Sequence, residues 1–205
     1  MNKILLLLAL LVVSCQNSHQ ESSVALSSFT SQKSSDQSGE RVDIDLEKSI
    51  IKWRGTKLMG AGSHEGTVKF KSGYLTFSNK KLEGGQFVAN MKSIYNTDIP
   101  LSDSIPRKNL TKHLNSDFNT KEYPESTFKI VGVKEMNNGK VEIVGDMTIM
   151  GISNPLEFIS TMNGDFFSAE IQIDRSEWKI GEQGSWLEQK LVDSDFKIKV
   201  ELYLN

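Results

Sequence analysis

From about residue 49 to the end of the chain, apolar and polar residues alternate with a period of two, and the alternation breaks at Gly, Asn and Pro. Successive side chains of a strand point to opposite faces. The rhythm therefore predicts half-buried β-strands at residues 49–54, 67–71, 74–78, 86–94, 127–134, 140–149, 155–162, 166–173 and 195–204. The last of these shows the pattern best: Phe196, Ile198, Val200, Leu202 and Leu204 share one face, while Asp195, Lys197, Lys199, Glu201 and Tyr203 share the other. Ser72-Gly73, Asn79-Lys80-Lys81, Asn137-Asn138-Gly139 and Asn163-Gly164 are expected to be hairpin turns, because Asn and Gly accept the positive φ that tight turns require. Short joints make neighbouring strands antiparallel.

One stretch departs from this rhythm. Leu110, His113 and Leu114 recur at helical spacing, with Asp103 or Ser104 available as N-cap and Pro106 in the first turn, so one short helix is expected between Asp98 and Asn119. Beyond it, Pro124 has no amide hydrogen and biases Tyr123 away from the α region. The polar run before it should form an ordered turn leading into a strand near Ser126. Many antiparallel strands with one inserted helix make either a sandwich or an up-and-down barrel, and the pattern alone leaves both open.

The amino-terminal part reads differently. Lys3 precedes an apolar run from Ile4 to Val13, too short to span a bilayer but suited to a secretory signal. Val12-Val13-Ser14-Cys15 resembles a bacterial lipobox, which implies cleavage before Cys15 and acylation of its sulfur and new amino group. The bland alternative is a free cysteine buried in an N-terminal helix. Cys15 is the only cysteine, so an intrachain disulfide is ruled out. The following segment is rich in Ser, Gln and Asn and buries too little to offset the entropy of ordering; it reads as a tether of roughly 25–30 Å end to end. The expected organisation is a signal at 1–14, a lipidated cysteine and tether at 15–40, and one domain at 41–205. Gln16 after the cysteine leans toward the outer membrane of a bacterial envelope, with the domain in the periplasm or at the surface.

Charge and chemistry narrow the function classes. Twenty-four Lys and Arg against twenty-six Asp and Glu, interspersed, leave a net charge of −2 and a pI near 6.0, the signature of a solvated surface with no basic stripe for nucleic acid. The chain has no Gly-x-Ser-x-Gly elbow, His-Glu-x-x-His motif or glycine-rich phosphate loop. His64 and His113 are too far apart in sequence for a local metal motif, and His19 lies in the tether. No catalytic residue, metal or cofactor is expected, and the chain does not read as an enzyme.

Several blocks carry a family resemblance. The stretch from His113 to Phe128, with Asn115-Ser116-Asp117-Phe118-Asn119 and Tyr123-Pro124, is similar to the central signature of the YceI-like family, with one residue fewer before the aromatic and a single Phe. Ser63-His64-Glu65-Gly66-Thr67-Val68-Lys69-Phe70, Met91-Lys92-Ser93-Ile94, Gly145-Asp146-Met147-Thr148-Ile149 and Asp174-Arg175-Ser176-Glu177-Trp178 resemble further blocks in the family's order. The resemblance implies a single antiparallel lipocalin-like β-barrel of about eight strands with a short inserted helix. It also implies an elongated cavity that binds isoprenoid-type amphiphiles such as a polyprenyl phosphate or a quinone.

On that reading the inward faces contribute Trp53, Phe70, Phe87, Met91, Phe128, Ile149, Phe158, Phe167, Ala169 and Phe196 to the ligand, with His113, Arg175 and Trp178 at the head group. A surface pairing of Arg175 with Asp174 or Glu177 is the plain alternative. The expected partners are an isoprenoid-type lipid, a membrane reached through the lipid anchor, and a second copy of the chain as a homodimer. The competing function is a surface lipoprotein, adhesive or stress-related, whose barrel is packed solid. Its loops would bind another protein through residues 174–192, which carry Trp178, Trp186 and Leu187.

Overall fold

A computed structural model describes residues 39–57, 62–182 and 192–205. The alternating segments form nine strands: β1 (Glu40–Asp43), β2 (Ile50–Lys57), β3 (Ser63–Ser78), β4 (Lys81–Asn96), β5 (Glu125–Glu135), β6 (Lys140–Ile149), β7 (Ile152–Asn163), β8 (Phe166–Asp174) and β9 (Val192–Tyr203). The helix α1 (Ser104–Asp117) lies between β4 and β5, and a short 3-10 helix, Arg175–Trp178, follows β8. Every pairing is antiparallel, and β3 pairs with β4 as well as β2, so the sheet closes on itself. Strands β1 and β2 share one edge of β3, β1 along Tyr74–Phe77 and β2 along Ser63–Val68. The result is a barrel of eight strand positions, as expected, and closure rather than sandwich packing leaves it without long free edges.

Three local expectations need correction. Ser72-Gly73 is no turn: it lies inside β3, opposite Val88 and Phe87, next to a register shift between Phe70 and Ser72. Gly73 serves close approach instead, since a Cβ there would come 2.6 Å from Phe87 and 2.8 Å from Ile44. The chain reverses at Asn79 and Lys80, with φ of 49° and 65°. A second reversal, Met150-Gly151, was not expected, although Gly151 carries a turn signal where Met150 does not; both residues have positive φ, and β7 begins three residues before Pro155. Counting from that two-residue turn, Asp146 and Pro155 form a non-hydrogen-bonded pair. The proline's missing N–H therefore falls on the side of β7 that β8 pairs only at residues 160–163. Finally, β1 was not expected at all. Asn137-Asn138-Gly139 and Asn163-Gly164 are turns as read, with Asn138, Gly139 and Gly164 at positive φ.

The tight hairpins β3–β4, β5–β6 and β7–β8 lie at one end of the barrel, where Ile44, Leu75, Leu82, Val141, Phe167 and Leu202 pack together. The connections that carry α1 and the 3-10 helix leave from the other end. Fully buried Asn96, the last residue of β4, donates to the Arg107 carbonyl (3.2 Å) and to Thr111 Oγ1 (3.1 Å), which pins α1 there. The turn after α1 is ordered as expected. Thr120 N donates to the Asn115 carbonyl and Tyr123 N to that of Asn119, and the Pro124 carbonyl accepts from Met91 as β5 begins at Glu125.

Candidate functional site

Closure turns the inward face of each strand toward a common axis, and the inward residues enclose a cavity of about 220 Å³. All ten positions expected to contact a ligand line it: Trp53, Phe70, Phe87, Met91, Phe128, Ile149, Phe158, Phe167, Ala169 and Phe196. Aromatic rings form much of the wall, with centroids 6.1 Å apart for Phe70 and Phe87 and 5.4 Å for Phe128 and Phe158. Two glycines make room for such rings. A Cβ at Gly145 would overlap the Phe128 ring, and one at Gly66 would strike both the Tyr95 carbonyl and the Trp53 indole.

Lining residues run from Leu82 and Leu202 at the hairpin end to Asp117, Arg175, Asp193 and Asp195 at the helix end, so the cavity is elongated along the barrel. Leu114 and Phe118 of the α1 region reach into it, and Phe118 meets Phe196 edge-on at 6.1 Å, joining the helix to β9. The Gly181 N–H donates to the Asp117 carbonyl (3.1 Å), so the segment after the 3-10 helix and the end of α1 meet.

The three expected head-group residues separate. Only Arg175 lines the cavity, and its Nε and Nη2 donate to the Ile180 carbonyl at 3.1 and 3.0 Å rather than pairing with Asp174 or Glu177. Trp178 is 1% exposed and lies outside the lining; its Nε1 donates to the Met147 carbonyl (3.0 Å), while Asn154 of β7 donates to the Glu177 carbonyl (2.8 Å). These bonds fasten the 3-10 helix against the stretch where β7 and β8 part. His113 is exposed, away from the half-buried Leu110 and Leu114, with Nε2 3.4 Å from the Asp117 carboxylate. Asp174 caps the 3-10 helix through Ser176 N and Oγ (2.9 and 2.6 Å), and those bonds, the hydroxyl's first, hold its carboxyl below the ordinary value.

Sequence reasoning missed Ser126, Ile180 and the carboxylates Asp193 and Asp195. Ser126 was legible, since it stands two residues before Phe128 on the same face; starting the strand one residue late hid it. Ile180 and Arg175 depend on how the chain folds after β8, which alternation does not report. Residues 1–38, with Cys15, and Trp186 and Leu187 lie outside the described residues. Among the described residues, no group of three His, Cys, Asp or Glu side chains could hold a metal ion.

The barrel, its inserted helix and this cavity extend over the residues that match the YceI-like domain, 42–204. The chain belongs to the YceI-like family. The chain is 28% identical over 127 residues to a UPF0312 protein of Pseudomonas putida, covering 61% of this chain and 62% of that one. To a UPF0312 protein of Vibrio parahaemolyticus it is 31% identical over 109 residues, covering 52% and 55%. The match thus spans less than two thirds of these curated relatives. The crystal structure of Burkholderia cenocepacia BcnA is similar with a TM-score of 0.63 and 25% identity, over 78% of this chain and 98% of that one. The Campylobacter jejuni YceI protein shares the fold with a TM-score of 0.53 at 22% identity, over 66% of this chain and 82% of its own. This YceI-like barrel carries its charged cavity residues at the end that bears α1.

Proposed function

We propose that this YceI-like protein is a bacterial envelope lipoprotein, anchored through Cys15, that binds an isoprenoid-type lipid inside its barrel as a carrier or sequestering protein. The observation that carries this reading is the elongated apolar cavity walled by alternate residues of the strands. Moving a tail from water into such a wall is worth about 0.8 kcal/mol per buried methylene, and no covalent chemistry is required. The cavity favours this reading over a packed scaffold, which would fill the same space with side chains.

Ala169 tests it. Its short side chain on β8 lines the cavity, and a Phe there would block a tail at the cost of some overpacking. Wild type should co-purify with lipid and take up a fluorescent polyprenyl probe, and folded Ala169→Phe should do neither. If extraction and native mass spectrometry find equal lipid in both proteins, and uptake is equal, the barrel is a scaffold and a protein-binding role takes its place.

A further inference from the structure

The half-buried residues of α1, among them Arg107, Leu110, Thr111 and Leu114, mark the side of the helix that meets the barrel. The opposite stripe carries Ile105, Lys108 and Lys112 at i, i+3 and i+7, all exposed. Ile105 is 73% exposed, and Leu101, in the turn before the helix, is 80% exposed; the other large apolar side chains among the described residues are better covered. A single exposed apolar residue is ordinary, but these two adjoin a cationic stripe. Leu101, Lys108 and Lys112 line one open surface groove with Tyr95 of β4, itself 40% exposed.

The charges there are unbalanced. Several lysines on the strands pair across the sheet, as Lys52 does with Glu201, Lys81 with Glu135 and Lys134 with Glu142. Lys108 and Lys112 make no ion pair among the described residues. From Ile99 to Ser116 the only acid is Asp103, which accepts from Ser102 Oγ (3.2 Å), and Asp117 beyond them lies 3.4 Å from His113. Arg107 is engaged locally: its guanidinium sits 4.9 Å from the centroid of the Tyr95 ring and donates to the Ile99 carbonyl. An anionic lipid surface meets both halves of this chemistry, headgroup phosphates for the lysines and acyl chains for Leu101 and Ile105. An acidic polypeptide answers only the lysines.

We propose that the outward face of α1, together with Leu101, docks on an anionic lipid surface. The same helix presents Leu114 to the cavity, so docking sets the helix end of the cavity against the bilayer. The anchor proposed for Cys15 does not do this alone, because β1 begins at the hairpin end, with Glu40 opposite Phe77. From Cys15 to Gly39 the chain reaches at most about 85 Å, beyond the roughly 50 Å of a sixteen-residue strand, so anchor and helix can hold one membrane together. The inference rests on the envelope reading for its setting and stands whatever fills the cavity.

The test uses the full-length protein purified from cells and mixed with vesicles of phosphatidylcholine, either alone or with phosphatidylglycerol. Hydrogen exchange of the peptide spanning 99–113 should be roughly fivefold slower on the anionic vesicles than on the neutral ones, and high salt should abolish the difference. The β5–β6 hairpin should exchange alike on both. Lys108→Glu with Lys112→Glu, and separately Leu101→Ser with Ile105→Ser, should each lose the protection. Equal exchange on the two vesicles, or protection that survives both double variants, overturns the docking. Protection by soluble polyglutamate but not by anionic vesicles also overturns it and gives the face to an acidic polypeptide. Flotation with neutral vesicles reports the anchor separately: a protein that fails to float there has no anchor, while the response of α1 to anionic vesicles still decides the docking.

Discussion

His64 Nδ1 and the Asp98 carboxylate lie 2.6 Å apart, tying the start of β3 to the chain that leaves β4 for α1. Burial works to raise the Asp98 carboxyl, but the hydrogen bond with His64 and those from backbone amides outweigh it, leaving the pKa below its ordinary 3.8. A depressed carboxylate contributes stability that is fully present above the unfolded-state value and is lost as pH falls through the folded one. Between about pH 6 and pH 3, therefore, the thermal midpoint of wild type should fall further than that of Asp98→Asn. Parallel curves would show that the pair contributes nothing. Neither partner announced the other in the sequence, where they stand 34 residues apart. Arg175 teaches the same lesson. Its charge suggested a phosphate or a neighbouring carboxylate, but the turn that follows presents the Ile180 carbonyl within reach first.

At the scale of elements, the 3-10 helix closes the place where β7 and β8 separate, and Trp178 is the residue that holds it. Trp178→Phe keeps most of the apolar contact and loses the bond to the Met147 carbonyl, which should cost about 1 kcal/mol. Trp178→Ala leaves a cavity as well and should cost about 3–5 kcal/mol. Urea denaturation followed by circular dichroism measures both, and an unchanged midpoint for Trp178→Phe would remove the hydrogen bond from the account. The strands around this helix were legible where alternation is strict, as in β9, and the turns where Asn or Gly must take positive φ, as at Asn138-Gly139. Gly73 misled because glycine also serves close packing within a strand. Met150 hid its turn because tertiary pairing, rather than local preference, holds it at a φ of 51°.

At the scale of the whole molecule, the anchor proposed for Cys15 would hold the barrel near a membrane, the source of any lipid it binds. Because a single sulfur carries the acylated glycerol, full-length Cys15→Ala should no longer incorporate radioactive fatty acid in growing cells. Label retained in the mutant would exclude the lipobox. The inward residues from Trp53 to Phe196 were fixed by sequence alone, because a strand's period of two is a local property that decides which side chains share a face. Whether those faces would meet across a sandwich or surround a cavity was not local. That was decided by the pairing of β3 with β4, which closes the sheet between segments whose pattern is compatible with either arrangement. The same closure gathers Asp117, Asp193 and Asp195 at the helix end of the cavity, because such groupings arise between strands and turns distant in sequence.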